Sequence, residues 1–289
     1  MEDTRSMAVS VGSAESPSHL PLPALPLLKQ RFAFRLATTS YIIPEAILPN
    51  IAFLGPHFDE IELVLFESQD LNNLPTPAEI RKLVALAEDF NLTYNIHLPG
   101  DVFFGDPDPA LRQAFCTTAI NFYERTLALN PTTYILHLDS RKADGEVEAD
   151  RAAWRRQVHE SLDRMQSKGM DLGRVVVENL EYPLERITPF AEAFGMGLCL
   201  DIGHLLRYGH DLGKQLEAFL SKSTMVHLHG VNDGEDHLAL DHIPQPEWNI
   251  ICRSLQEFRG VVSLEVFSVD DLIPSLPRIQ KLVRGEAHS

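Results

Sequence analysis

Eight short apolar runs, separated by longer segments with helical periodicity, are the feature that most constrains how this chain of 289 residues can fold. The runs are rich in aliphatic and β-branched residues, and each has the length of a single strand. Regular alternation of this kind is typical of parallel strands joined by covering helices. The eight predicted strands cover residues 32–38, 60–67, 92–98, 133–139, 174–180, 197–203, 224–230 and 261–267.

The segments between the runs carry apolar residues at i, i+3 and i+4, as amphipathic helices do. Eight such units over about 250 residues favour a single-domain α/β fold, the (β/α)8 TIM barrel, over an open doubly wound sheet. The patterns GxGxxG and GxxxxGKS/T are absent, which also disfavours a nucleotide-binding sheet. The predicted helices cover residues 77–90, 109–129, 147–168, 183–194, 212–222, 246–258 and 271–283, with a weaker segment at 44–54.

The first 30 residues differ from the rest of the chain in composition. They are rich in serine and then hold four prolines between Pro17 and Pro26. Prolines interrupt the apolar stretch, which fits neither a signal peptide nor a membrane span. We therefore expect a flexible or extended leader over residues 1–30 and the barrel domain over residues 31–285.

The charge and the cysteines restrict the partners and the compartment. A formal net charge of −16 opposes binding to extended nucleic acid, because that affinity comes mainly from Lys and Arg that neutralise phosphates. Cys116, Cys199 and Cys252 lie in apolar surroundings and form no CxxC motif. We expect them to be reduced core residues of a cytoplasmic protein.

Acidic residues and histidines follow six consecutive predicted strands, at or just beyond the point where each strand ends. The C-terminal ends of barrel strands converge on one face, where barrel enzymes place their active sites. Imidazole nitrogens and carboxylate oxygens are the ligands of Zn, Mn or Fe, whereas a buried polar network without metal is the simpler alternative. Carboxylates this crowded would repel one another unless a cation held them. The residues are His97, His137, Glu178, Asp201, His204, His227, His229, His237 and Glu265.

In their order along the chain, these residues resemble the xylose isomerase-like TIM barrel superfamily, in particular the branch that includes endonuclease IV. Members of that branch are phosphodiester hydrolases with up to three divalent ions, or sugar isomerases and epimerases with one or two. The resemblance implies two or three ions of Zn, Mn or Fe in this chain. It assigns Glu178, Asp201, His229 and Glu265 to a core metal site, His97 and His137 to a second ion, and His204 with His237 to a third.

Two details of that resemblance bear on the chemistry. The strand-seven motif HLHG leaves open whether His227 or His229 is the ligand. In a hydrolase of this branch, Glu178 and Glu265 would be the catalytic residues that orient the attacking water and accept its proton.

Longer sequence segments resemble one particular group within the superfamily. The segments VENLEYP, CLDIGHLLRYG and HLHGVNDGEDHLALDHI resemble those of the cobamide-remodelling phosphodiesterases, which cut the phosphoester of the nucleotide loop of vitamin B12-type cofactors. This resemblance implies a small corrinoid substrate and no extended nucleic acid or membrane partner. A metal-dependent sugar isomerase or epimerase, an endonuclease IV-like abasic-site nuclease and a non-catalytic metal-binding or corrinoid-binding module are the alternatives.

Aromatic and basic residues near the strand ends are candidates for contact with such a substrate. Tyr41, Tyr182 and Tyr208 have the shape to face a large planar ligand, and the cations of Arg141 and Arg207 would attract phosphate. Their alternative assignments are core aromatic residues and solvated loop residues.

Overall fold

A closed barrel of parallel strands forms the centre of the molecule, whose computed structural model describes residues 22–65, 73–140 and 148–283. The barrel order is β1-β10-β7-β6-β5-β4-β3-β2, and an antiparallel hairpin of β8 and β9 lies between β7 and β10 in the chain. The predicted TIM barrel and its eight strands are confirmed. The strands are β1 (Arg35–Thr39), β2 (Glu60–Val64), β3 (Thr93–His97), β4 (Tyr134–His137), β5 (Val175–Glu178), β6 (Gly197–Asp201), β7 (Ser223–Leu228), β8 (Gly230–Asn232), β9 (Glu235–Leu238) and β10 (Val261–Leu264).

Helices cover the outside of the barrel, and several of them begin at a residue whose side chain caps the first turn. Before the second helix, the Thr76 hydroxyl accepts from the Glu79 backbone N–H and the Glu79 carboxylate accepts from Thr76 N–H, which is a reciprocal capping box. That helix has the predicted bounds. The helices are α1 (Ile47–Leu54), α2 (Pro77–Phe90), α3 (Pro109–Thr126), α4 (Glu148–Ser167), α5 (Thr188–Phe194), α6 (Ile202–Arg207), α7 (Leu212–Phe219), α8 (Gln245–Leu255) and α9 (Val269–Gln280).

The interior of the barrel changes from apolar to polar along the strands. Alternate residues of each strand point inward, and one inward layer consists of small and medium apolar side chains from six strands. Two residues further on, at the C-terminal ends, the inward positions are polar, so this end of the barrel is chemically distinct from its core. The apolar layer is Ala37, Ile135, Val176, Cys199, Met225 and Val261, and the polar positions above it are Thr39, His137, Glu178, Asp201, His227 and Ser263.

Residues 22–30 of the expected leader pack onto the barrel. Leu25 and Leu28 are buried, and the backbone N–H of Gln30 donates to the Asp59 carboxylate at 2.9 Å. The Lys29 ammonium donates to the carbonyl of Gly55 at 3.2 Å. This part of the expected leader is therefore ordered by burial of its leucines, while residues 1–21 lie outside the described residues.

Cys116, Cys199 and Cys252 are all buried and free, as predicted. None of the helices in residues 22–65, 73–140 and 148–283 has the length and apolar character needed to cross a membrane.

Candidate metal centre

The carboxylate of Glu178, at the end of β5, is surrounded by imidazoles from three other strand ends and one helix. Its Oε2 lies 3.2 Å from Nε2 of His137, 3.6 Å from Nε2 of His97 and 3.4 Å from Nδ1 of His227. Its Oε1 lies 3.3 Å from Nδ1 of His204. Parallel strands with closely matched ends bring these side chains together, as the sequence predicted.

A central group of four buried side chains comes from β5, β6, β7 and the end of β10: Glu178, Asp201, His227 and Glu265. Nδ1 of His227 lies 3.1 Å from the Glu265 carboxylate and 3.9 Å from that of Asp201. This group contains His227, whereas the resemblance assigned His229 to the core site, and Nε2 of His229 also lies close to Asp201, 3.3 Å from Oδ1. His227 pairs in register with Asp201, and His229 lies beyond the end of β7.

His229 belongs instead to a second cluster, with His204 and His237. Its ring packs directly over Gly203, where an added Cβ would come within 2.1 Å of the imidazole, so the glycine of the DIGH motif makes room for this histidine. The His229 and His237 rings stack with centroids 4.4 Å apart. His237 adopts a left-handed backbone with φ 57°, which is uncommon outside glycine and directs its side chain from the hairpin toward the site.

A third cluster joins His97 and His137 to Glu178. The two imidazoles meet edge to face with ring centroids 4.7 Å apart. Every sequence-predicted metal ligand therefore lies in one of three adjoining clusters, and Glu178 belongs to two of them.

Many polar atoms in these clusters are buried without a hydrogen-bond partner among the described residues. A buried carboxylate or imidazole without a partner is costly, so such atoms favour a cation-binding site over a packed core. Nitrogen and carboxylate donors in this number match the preferences of Zn, Mn and Fe. The site therefore fits divalent metal ions. The unpaired atoms are both oxygens of Glu62, Oδ2 of Asp201, both ring nitrogens of His227, Nε2 of His229, Nδ1 of His237 and Oε2 of Glu265.

Charge within the site lowers the pKa of the glutamate and raises the pKa of the histidine that face each other. Burial alone would raise the pKa of Glu178, but His227 and His137 hold that pKa well below its usual value. Burial likewise opposes ionisation of His204, yet Asp201 and Glu178 raise its pKa to about 9. Although burial opposes this, the neighbouring carboxylates also raise the pKa of His97, His227 and His237, and bound cations would replace the protons on these histidines.

Glu62 of β2 is the one carboxylate of the centre that the sequence reasoning missed. It is fully buried, and Oε2 lies 3.2 Å from Nε2 of His227. The signal in the sequence is a charged residue inside an apolar strand, well before the end of the predicted run at residue 67.

The candidate substrate contacts have different environments. Tyr208 is 44% exposed and lies under the guanidinium of Arg207, which itself forms an ion pair with Asp236 of the hairpin. Tyr182 is buried, and its hydroxyl donates to the carbonyl of Leu138 at 2.7 Å, so it packs as a core aromatic residue.

The remaining tyrosine, Tyr41, lies beside helices α1 and α2. The Tyr41 hydroxyl accepts a hydrogen bond from the Asn73 amide at 2.7 Å, beside a cavity of about 250 Å³ that residues of α1 and α2 help to line. Arg141 lies outside the described residues.

Solved structures share this architecture at low sequence identity. A D-tagatose 3-epimerase-like protein is 17% identical, with a TM-score of 0.69 over 86% of this chain and 97% of that chain. Endonuclease IV from Thermus thermophilus is 15% identical, with a TM-score of 0.65 over 86% of this chain and 99% of that chain. Among curated proteins, none matches this chain.

A family model described as the xylose isomerase-like TIM barrel matches residues 51–284, which span the strands from β2 to β10 and every cluster of the metal centre. The fold, the order of the ligand-type residues and this match agree. The chain belongs to the xylose isomerase-like TIM barrel family.

Proposed function

We propose that this protein is a metal-dependent phosphodiesterase with two or three divalent ions. The observation that carries the proposal is the pair of histidine clusters that flank the central group, one with His97 and His137 and one with His204, His229 and His237. A reaction that requires one ion needs only the central group. The flanking histidines are explained when several ions act on one phosphodiester.

The ions and the two glutamates of the central group would have separate tasks in this reaction. Ions bound there would supply positive charge to the phosphate oxygens and lower the pKa of a water molecule. Glu178 and Glu265 would hold the ions, orient the water and accept its proton. Hydrolysis then gives a phosphomonoester and an alcohol.

The proposed substrate is the phosphodiester in the nucleotide loop of a cobamide. Support comes from the resemblance of VENLEYP, CLDIGHLLRYG and HLHGVNDGEDHLALDHI to the cobamide-remodelling phosphodiesterases. The net charge of −16 is compatible with a small substrate whose phosphate meets the metal centre, and it disfavours a long polyanion.

The substrate is tested by supplying the metal-loaded full chain with an intact cobamide, an abasic DNA duplex and a ketohexose in parallel. We expect release of the nucleotide moiety from the cobamide with Zn, Mn or Fe, and no reaction after chelation. Cleavage of the duplex alone would replace the cobamide with an abasic site and leave the phosphodiesterase class intact.

A sugar epimerase is the second candidate. It is favoured by the central group of two glutamates, an aspartate and one histidine, and by the epimerase among the similar structures.

The double variant His97→Ala/His137→Ala separates the two classes. For a phosphodiesterase we expect a loss of about one ion per chain and at least ~10²-fold lower turnover, the scale of one deleted electrostatic stabiliser. The exposed His159 provides the control, His159→Ala. Unchanged metal content and ketose epimerisation would favour the epimerase.

A further inference from the structure

Glu62 is a buried carboxylate to which the proposed reaction assigns no task. It is fully buried on β2, and neither oxygen has a hydrogen-bond partner among the described residues. The nitrogen that approaches it is Nε2 of His227, at 3.2 Å. On the other side of the same ring, Nδ1 faces the carboxylates of Glu265 at 3.1 Å and Glu178 at 3.4 Å.

The same strand shows how this barrel satisfies a buried glutamate that has only a structural task. Glu60, two residues earlier, is also fully buried, but its carboxylate accepts hydrogen bonds from Asn95 at 2.9 Å, Thr132 at 2.6 Å and Thr93 at 2.6 Å. Glu62 has no such donors among the residues that the structure describes. Because an ionised carboxylate is costly to bury unpaired, the contact of Glu62 with the His227 nitrogen at 3.2 Å carries particular weight.

We propose that Glu62 is a positioning residue that accepts a hydrogen bond from Nε2–H of His227 and thereby presents Nδ1 to the central metal position. A neutral imidazole carries one N–H, so a carboxylate at Nε2 selects the tautomer whose Nδ1 lone pair is free. It also fixes the plane of the ring and makes Nδ1 a stronger donor. This inference rests on the proposed ligand role of His227.

A direct ligand role for Glu62 is the competing assignment, because ligand atoms of Glu62, His97 and Glu265 also lie within 4.8 Å of one another. Two substitutions distinguish the roles. Glu62→Gln keeps the side-chain volume and one oxygen that can accept a hydrogen bond from Nε2–H, whereas Glu62→Leu removes the acceptor altogether. Loss of a residue that acts through a metal ligand lowers metal affinity by roughly 10–100-fold.

The experiment measures metal affinity by competition with a chelator and needs no substrate. We expect about 10-fold weaker Zn²⁺ binding at the central position for Glu62→Gln and about 100-fold for Glu62→Leu, with an unchanged Co²⁺ absorption spectrum in Glu62→Gln. In zinc-loaded, ¹⁵N-histidine-labelled protein, the Nε2–H resonance of His227 should be present in wild type and absent or exchanging in Glu62→Leu. Glu60→Gln is the matched control, with a lower melting temperature and metal affinity within about 2-fold of wild type.

Two outcomes would overturn the inference. Equal, complete loss of the ion in both variants with an altered Co²⁺ spectrum in Glu62→Gln would make Glu62 a ligand. Affinities of both variants within about 2-fold of wild type would give it no role at the metal, and if Glu62→Leu fails to fold, Glu62→Gln decides alone. Failure of the phosphodiesterase assay with normal metal binding concerns the proposed function and leaves this inference standing.

Discussion

At the scale of single residues, the metal centre depends most on Glu178, whose carboxylate lies within 3.6 Å of ring nitrogens from four histidines. Glu178→Gln keeps the side-chain volume but replaces the anion with a neutral amide. We expect the loss of at least one ion per chain and at least ~10²-fold lower turnover, because two clusters share this ligand. Metal analysis and a phosphodiesterase assay measure the two effects.

The control for that substitution is Glu185→Gln, at an exposed glutamate that accepts a hydrogen bond from the Gln215 amide outside the metal centre. It should retain wild-type metal content and activity. Full metal content in Glu178→Gln, with an unchanged far-UV circular dichroism spectrum in both variants, would show that Glu178 does not bridge the clusters.

The sequence predicted which residues lie at the barrel end, because the C-terminal end of each strand is known to lie on one face. The sequence did not predict how far along the barrel axis each side chain lies. His227 and His229 share one face of a strand, so periodicity cannot separate them, and both rings reach Asp201, Nε2 of His229 at 3.3 Å and Nδ1 of His227 at 3.9 Å. Glu62 was missed for a related reason, since a carboxylate inside a strand joins the site only through the stagger of neighbouring strands.

At the scale of secondary-structure elements, the hairpin of β8 and β9 carries His237, and an ion pair between Arg207 and Asp236 ties it to the end of α6. Arg207→Gln removes this tie. We expect faster cleavage after Glu235 by a Glu-specific protease, with little change in melting temperature, because a single partly exposed ion pair contributes about 0–1 kcal/mol. Arg112→Gln, which breaks a comparable pair with Glu160, is the control.

The same variant decides whether Arg207 contacts the substrate. If the hairpin keeps wild-type resistance to the protease while KM rises, Arg207 binds substrate, as the sequence suggested, and does not restrain the hairpin. If neither quantity changes, both roles are wrong.

The hairpin and α6 also mark the limit of sequence-based prediction at this scale. The eight barrel strands and their longer helices have several periods of apolar spacing, so their presence was predicted. Gly230–Asn232, Glu235–Leu238 and Ile202–Arg207 are too short for a periodic signal. Their conformations come from contacts with the barrel end, and these short elements deliver His204 and His237 to the centre.

At the scale of the whole molecule, residues 22–30 are part of the folded domain, although their composition predicts a dispensable leader. Two adjacent leucines provide a matched test, since Leu28 is 3% exposed and Leu27 is 71% exposed. Leu28→Ala should cost about 2–5 kcal/mol in unfolding free energy, whereas Leu27→Ala should change it by less than about 0.5 kcal/mol. Chemical denaturation measures both.

A chain that begins at Gln30 should accordingly melt at a lower temperature than one that begins at Leu22. Equal melting temperatures for these two chains, or equal unfolding free energies for the two leucine variants, would return residues 22–29 to the role of a leader without structural contribution.

Protons on the histidines and bound metal ions should each stabilise the whole barrel, the protons at lower pH and the ions at higher pH. In the metal-free protein, Asp201 and Glu178 raise the pKa of His204 from its usual value near 6.5 to about 9 despite burial. A raised folded-state pKa contributes stability that is complete below pH 6.5 and is lost as the pH rises through about 9. The melting temperature in chelator should therefore fall across this window.

Bound cations take the place of the imidazolium protons, so metal-loaded protein should lose this dependence and metal affinity should increase from about pH 6.5 to about 9. On the acid side, burial would raise the pKa of Glu265, but His227 and His237 hold it well below its usual value. The stability that this carboxylate contributes is therefore present above about pH 4.5 and is lost as the pH falls through the lowered pKa. Thermal melts from about pH 3 to about pH 9, with chelator and with Zn²⁺, measure both arms. A metal-free melting temperature that is constant from about pH 6.5 to about 9 would mean that His204 does not carry a stabilising proton in the folded protein.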